Sequence, residues 1–322
     1  MTSSLPPEVR EAFAGFLTTE YTTIDARQQP ITWPVTPYYS QGAATIDVST
    51  GLGYPKKAND ARRNPHVALL FSDPTGSGAD SAIRVLVQGT AVVDDSDLAA
   101  NRERYARESA LKLPATVEMH PPKPIQRLAG WYYTRIYIEV RPERVFVWAD
   151  GDVSKPPEIH DARVEEVRSG HTEEAPATHV PAAGGGIAWD ERLDLLGSTY
   201  PEAVLSWVAP DGFPLSVRLP VTVDRGRREI DLGAEPAGLP LLEGRACLTA
   251  HRHGPNFEWQ QNFQVRGDLK RSDDGWSLVP HRLIGGFQVP EGRAAMLREN
   301  FRKSIRFAKT ARRELKKREA RG

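Results

Sequence analysis

The chain has a single cysteine, Cys247, in 322 residues, so no internal disulfide is available and a reducing compartment is expected. That cysteine sits in the apolar run RACLTA, which predicts a packed core residue and not a nucleophile. Net charge is missing as well. The 42 Lys and Arg balance 42 Asp and Glu, which argues against nucleic acid as the main partner of the whole body. No run reaches the roughly 18 apolar residues of a membrane-spanning helix. The opening MTSSLPPEVREAF lacks the basic-then-apolar order of a secretory signal. The eight histidines include no His-Glu-x-x-His pattern and have no cysteine partners. His251 and His253 alternate on a predicted strand and so share a face, but a metal would need a third ligand, and none is expected. Ser77 in TGSGAD lacks the flanks of a nucleophile elbow or a P-loop. Together these absences predict a soluble, cytoplasmic protein with no membrane span.

The stretch that carries chemistry is TIDVSTGLGYPKKANDARRNPHVALLF, Thr45 to Phe71. Ile46 and Val48 alternate with Asp47 and Ser49 as in a strand, and the chain then turns at Gly51 and Gly53. Lys56 and Lys57 follow, then a short helix from Ala58 to Arg63 and a second apolar strand from Val67 to Phe71. Glycines at a turn, hydroxyls at a strand end and two ammonium groups before a helix N-terminus are the parts of a phosphate site. The plainer alternative is a surface turn with two solvated lysines.

Around this stretch the chain predicts short strands joined by hairpins. A helix begins at Pro6-Pro7, with Val9, Phe13 and Phe16 on one face. Tyr21–Asp25 and Pro30–Tyr39 form a hairpin, and Ala82–Val93 is a strand with an internal glycine. A helix from Leu98 to Lys112 turns an Arg- and Glu-rich face outward, and WYYTRIYIEV and RVFVW are two strands meeting at a turn at Pro142-Glu143. Six hairpin-connected strands suggest an antiparallel barrel over residues 1–150. Residues 151–186 are polar, rich in Pro and Gly, and are expected to be a linker.

The pattern then starts again over residues 187–289, with a helix from Trp189 to Leu196. At a constant offset of 184, Ile24 meets Val208, Pro30 meets Pro214, and Ile46-Asp47-Val48 meets Ile230-Asp231-Leu232; later, Val87-Gln88-Gly89 meets Val265-Arg266-Gly267 at an offset of 178. The chain is therefore predicted to be mainly β, with two tandem barrels and peripheral helices. The six lost residues fall across the lysine turn, where the second copy reads GAEPAGLPLLEGRA without lysine. Residues 290–322 predict a long helix with Leu297, Phe301, Ile305, Ala308 and Leu315 near one face. From Arg298 onward it holds eleven Lys and Arg against three Glu, a net +8 that leaves −8 for the rest. Its basic faces are either solvated or meet RNA or anionic lipid.

The hairpin end PVTPYY, the lysine stretch, RVLVQGTAVV and YYTRIYIEVRPERVFVW, in this order, resemble the pyridoxamine 5'-phosphate oxidase-like flavin-binding split-barrel superfamily. The resemblance covers residues 10–150 and, more faintly, 200–285. It implies FMN in a groove between two barrels, either within a homodimer or, here, within an intramolecular pseudo-dimer holding one cofactor. Carried over, Lys56 and Lys57 take the phosphate with Ser49, Thr50 or Tyr54. Thr36 and Tyr38 flank the ring, Gln88 bonds its edge, and Trp131 or Arg135 closes the groove. The implied activity is an FMN-dependent oxidoreductase acting on a small organic substrate, with no catalytic side chain assigned. Deazaflavin is the alternative cofactor. Haem is a third, with His66 or a tail residue as axial ligand. The oxidase's C-terminal Arg/His substrate motif is absent, which argues against vitamin B6 oxidation.

Overall fold

The computed structural model describes residues 5–78, 82–114, 130–162, 190–233, 235–272, 275–286 and 293–319. The first sheet contains β1 (Thr19–Ile24), β2 (Pro30–Val35), β3 (Ile46–Gly51), β4 (His66–Phe71), β5 (Arg84–Asp94) and β6 (Arg135–Trp148). Its order is β2-β1-β4-β5-β6-β3, with β7 (Glu158–Asp161) paired to β6. The second sheet contains β8 (Glu202–Val208), β9 (Pro214–Pro220), β10 (Thr222–Asp224), β11 (Glu229–Asp231), β12 (Gly244–His253), β13 (Gln260–Ser272) and β14 (Gly275–Gly285). Its order is β10-β11-β14-β13-β12-β8-β9. Set side by side, β9-β8-β12-β13-β14-β11 repeats β2-β1-β4-β5-β6-β3 strand for strand. All named pairings are antiparallel, and the protein is mainly β, two split barrels in tandem.

The repeat holds at the level of register. Ile24 faces Pro30 across the first hairpin, and Val208 faces Pro214 across its counterpart. Both long central pairs carry a bulge at the predicted glycine, between Gln88 and Gly89 in one and between Arg266 and Gly267 in the other. A Cβ on Gly89 would overlap the Arg141 carbonyl, and one on Gly267 would overlap that of Val279. Each glycine is needed because the opposing backbone comes too close for a side chain. This bulge also explains a difference from expectation: Arg135 to Trp148 is one continuous strand, not two. The bulge absorbs Pro142, which faces Gly89, without ending the ladder.

β4 is apolar on both faces. Val67, Leu69 and Phe71 enter the first barrel's core with Phe13, Phe16 and Ile46, whereas Ala68 and Leu70 enter the second core with Trp207 and Leu248. The barrels therefore share a packed seam. At its centre four buried hydroxyls close a ring. Thr22 bonds Thr32 and Ser216 at 2.9 Å each, Thr32 donates to Ser206 at 2.6 Å, and Ser206 bonds Ser216 at 2.9 Å. Thr22 and Ser206, like Thr32 and Ser216, stand 184 apart, so the ring straddles a pseudo-two-fold axis.

Helices fill the edges. α1 (Pro7–Gly15) buries Val9, Ala12 and Phe13, α2 (Lys56–Arg63) follows the lysine turn, and α3 (Leu98–Lys112) is capped by Asp97. Trp131 lies in a four-residue helical turn, α4 (Gly130–Tyr133), and not in a strand. The helix expected at Trp189–Leu196 is a 3₁₀ turn over Glu191–Leu195; Trp189 is outside the described residues. The opening of the expected linker forms β7, and residues 163–189 lie outside the described residues. The last element is α5 (Arg293–Glu319).

Candidate anion site on the first barrel

β3 ends in a tight turn that the backbone stitches together. Tyr54 N–H donates to Gly51, Leu52 N–H to Thr134 and Gly53 N–H to Trp131, each at 2.9 Å. The Thr50 hydroxyl donates to the Tyr54 carbonyl at 2.9 Å. The glycines are required by aromatic neighbours. A Cβ on Gly51 would sit 2.7 Å from the Tyr54 ring, and one on Gly53 2.7 Å from Phe307 Cβ on α5.

The two lysines part company. Lys56 is half exposed and committed, its ammonium 2.7 Å from Asp60 and 3.7 Å from Asp25. Lys57, half-buried, has no carboxylate partner among the described residues. Burial first, and the Arg135 guanidinium second, lower its pKa to about 8. Arg135 opens β6 and is 5% exposed. Its Nη1 donates to the Tyr54 hydroxyl at 2.9 Å, and its guanidinium lies 3.9 Å over Tyr105 and 4.2 Å over Tyr132. Its Nε is buried with no hydrogen-bond partner. No ion pair joins Arg135 to a described carboxylate. Two cations thus lie near each other in a part-buried place, with no ion-paired carboxylate among the described residues. An uncompensated buried charge is costly, and an anion placed beside the pair would offset that cost.

Tyrosines line this place: Tyr38, Tyr105, Tyr133 and Tyr137 form one buried cluster with Tyr132 against it. Tyr38 pairs with Asp47 through backbone hydrogen bonds of 2.7 and 2.9 Å and bonds the Ser49 side chain. Burial raises its pKa, and burial pushes that of Tyr54 up to about 12 despite Arg135. On the far side Tyr137 donates to Glu108 at 2.7 Å, with Arg104 stacked 4.0 Å over its ring.

The structure thus brings together Tyr38, Ser49, Thr50, Tyr54, Lys57 and Arg135. Trp131 stands against Tyr54, its ring centroid 6.3 Å away, but is covered by α5: its indole N–H donates to Ser304 at 3.1 Å and its ring stacks on Phe307. Thr36 is half-buried just beyond β2. Gln88 turns into the seam, donating to the Pro214 carbonyl at 3.0 Å and leaving its Oε1 without a partner. Tyr105, Tyr132 and Phe307 were not singled out from the sequence. Tyr105 belongs to the buried stripe Asn101, Tyr105, Ser109 of α3, whose i, i+4, i+8 spacing was the available signal. That stripe is too polar to register as a core face.

A second polar cluster occupies the seam. Glu20 on β1, fully buried, accepts from Ser72 at 3.0 Å and from Arg218 at 2.8 Å, and lies 2.6 Å from His251 Nε2. His251 and His253 do share a face of β12, and both approach Asp73 within 3.8 Å. No group of three or more metal-type ligands occurs among the described residues. No helix among them is long and apolar enough to cross a membrane.

No family model and no curated protein matches the chain. Solved structures similar to it include a putative pyridoxamine 5'-phosphate oxidase from Listeria innocua, at 16% identity and a TM-score of 0.31 over 44% of this chain and 96% of that one. An FAD-binding protein from Mesorhizobium loti is 15% identical, with a TM-score of 0.31 over 44% and 89%. A haem storage protein from Vibrio cholerae is 16% identical, with a TM-score of 0.32 over 46% and 95%. Each likeness covers a little under half of this chain.

Proposed function

We propose that the chain binds one flavin mononucleotide through its phosphate at Lys57 and Arg135 and acts as an oxidoreductase on a small organic molecule, in the cytoplasm. The observation that carries this reading is the buried Arg135 guanidinium, without a carboxylate partner among the described residues and with Nε unpartnered, beside Lys57. A phosphate monoester fits such a pair because it offers several acceptor oxygens and up to two negative charges. The Tyr54 and Ser49 hydroxyls supply further donors, and the tyrosine cluster offers flat, amphipathic walls to a planar ring. Bound flavin would supply hydride transfer, and the protein would position it and exclude water.

In this reading the first barrel carries the site, the second acts as built-in partner, and one cofactor is held per chain. The similarity to flavin-binding split-barrel proteins supports it only as a resemblance. Deazaflavin meets the same two requirements, an anionic tail and a flat ring. The test is the absorbance spectrum and mass of the cofactor that copurifies, for the natural chain and for Lys57→Met and Arg135→Met. Flavin in the natural chain, lost from both variants, with dye reduction lost in parallel, is expected. Full flavin content in both variants would refute the phosphate assignment.

A further inference from the structure

The long C-terminal helix presents two unlike faces. Its inner face is pinned to the first barrel: Ala311 and Glu314 are buried, Phe307 and Ala308 pack against the core, Ser304 accepts from Trp131, and Arg318 donates to Asp95 at 2.8 Å. Its outer face is cationic. Arg302, Arg306, Lys309, Arg312, Arg313 and Lys316 are all exposed. Steps of four, three, four and three residues from 302 through 306, 309, 313 and 316 keep these cations on one line, about 21 Å long at 1.5 Å per residue. None of the six makes an ion pair with a described carboxylate, whereas Lys317 and Arg318, just beyond, are held by Glu314 and Asp95. A hollow of about 550 Å³ opens along the line, walled by Ile305, Ala308, Lys309, Arg312, Arg313 and Lys316.

We propose that this outer face binds the phosphodiester backbone of nucleic acid, without regard to base sequence. A straight row of cations with no described carboxylate partner matches a linear polyanion, whose charges recur along its length. An anionic membrane fits less well. A helix that lies in a bilayer interface needs an apolar face to bury. Here the apolar face is already spent on the barrel, leaving Ile305 and Leu315 as its exposed large apolar side chains among those described. With the segment from Arg298 at +8 and the rest at −8, the helix is also the part of the chain that attracts a polyanion. The inference is independent of the cofactor proposed above.

The test is fluorescence anisotropy with a labelled single-stranded RNA of about 20 nucleotides, the matching DNA duplex, and phosphatidylserine vesicles as the lipid arm, at low and moderate salt. For about six neutralised phosphates on RNA, log affinity should fall with log salt at a slope of about −4, a loss of about 250-fold per fourfold rise in salt. In the quadruple variant Lys309→Gln, Arg312→Gln, Arg313→Gln, Lys316→Gln the slope should shrink to about −1. The variant's thermal unfolding and cofactor content should match the natural chain, since all four side chains are exposed. Three results would overturn the proposal: no binding of either nucleic acid at low salt, undiminished binding by a folded quadruple variant, or preference for the vesicles over RNA.

Discussion

The two barrels share strand order, the hairpin proline, the bulge glycine and the paired hydroxyls of the central ring, yet they treat charge in opposite ways. In the first barrel the chain between β3 and β4 forms α2 and brings Lys57 near Arg135, neither ion-paired to a carboxylate among the described residues. In the second barrel the corresponding stretch holds Glu235. That carboxylate accepts the Leu241 backbone N–H at 2.9 Å and the Trp276 indole N–H at 3.3 Å. One copy gathers Lys57 and Arg135, and the other installs a carboxylate that satisfies local donors. The seam is equally lopsided. Glu20 and Arg218 meet there, while their counterparts at the 184 offset are Val204 and Pro34. The two copies share a frame and differ in where they place buried charge.

Breaking the asymmetric seam should have the largest effect. Glu20→Ala leaves Arg218 buried without its carboxylate and should cost about 3–5 kcal/mol of unfolding free energy in a urea titration. Val204→Ala, at the equivalent place, removes a buried apolar side chain without stranding a charge and should cost less. Burial opposes ionisation of Glu20, but the His251 hydrogen bond and Arg218 prevail and hold its pKa below 4.5. The stability it contributes is therefore present above pH 4.5 and lost as pH falls through the lowered folded value. Glu20→Ala should flatten that acid limb.

Breaking the symmetric features should hurt both barrels alike. Gly89→Ala and Gly267→Ala each force a Cβ against a carbonyl and should each cost about 1–3 kcal/mol by thermal unfolding. A large cost for one and none for the other would show that the copies do not share the bulge's packing.

These shared positions were legible in the sequence because a glycine opposite a close backbone, or a proline opening a return strand, leaves a residue type at a fixed spacing. The second barrel's missing lysines were equally legible. Other features were not. Pro142-Glu143 suggested a turn because a bulge that carries a strand past a proline depends on Gly89 across the ladder. The division of labour between Lys56 and Lys57 had one local clue, Asp60 at i+4 from Lys56. The role of Arg135 had none, since its tyrosine walls come from α3, α4 and the β3 turn, remote from one another in the chain.

The smallest expected effect is on pH dependence. Anion binding favours charged Lys57, whose pKa of about 8 lies below the usual lysine range. Affinity for a phosphate-bearing ligand should be full below pH 8 and should weaken as pH rises above it, by up to the shift that the anion induces. Lys57→Met should lose that dependence, while Lys56→Met, which removes a side chain already paired to Asp60, should keep it. Equilibrium titrations of FMN across this range would register the difference.

The central claim, that the first barrel grips the anionic end of its ligand, is tested most directly by titrating cofactor-free protein with FMN and with riboflavin, which share the ring and differ by the phosphate. FMN should bind at least a hundredfold more tightly, and the gap should close in the double variant Lys57→Met, Arg135→Met. Equal affinities for the two ligands in the natural chain would contradict it.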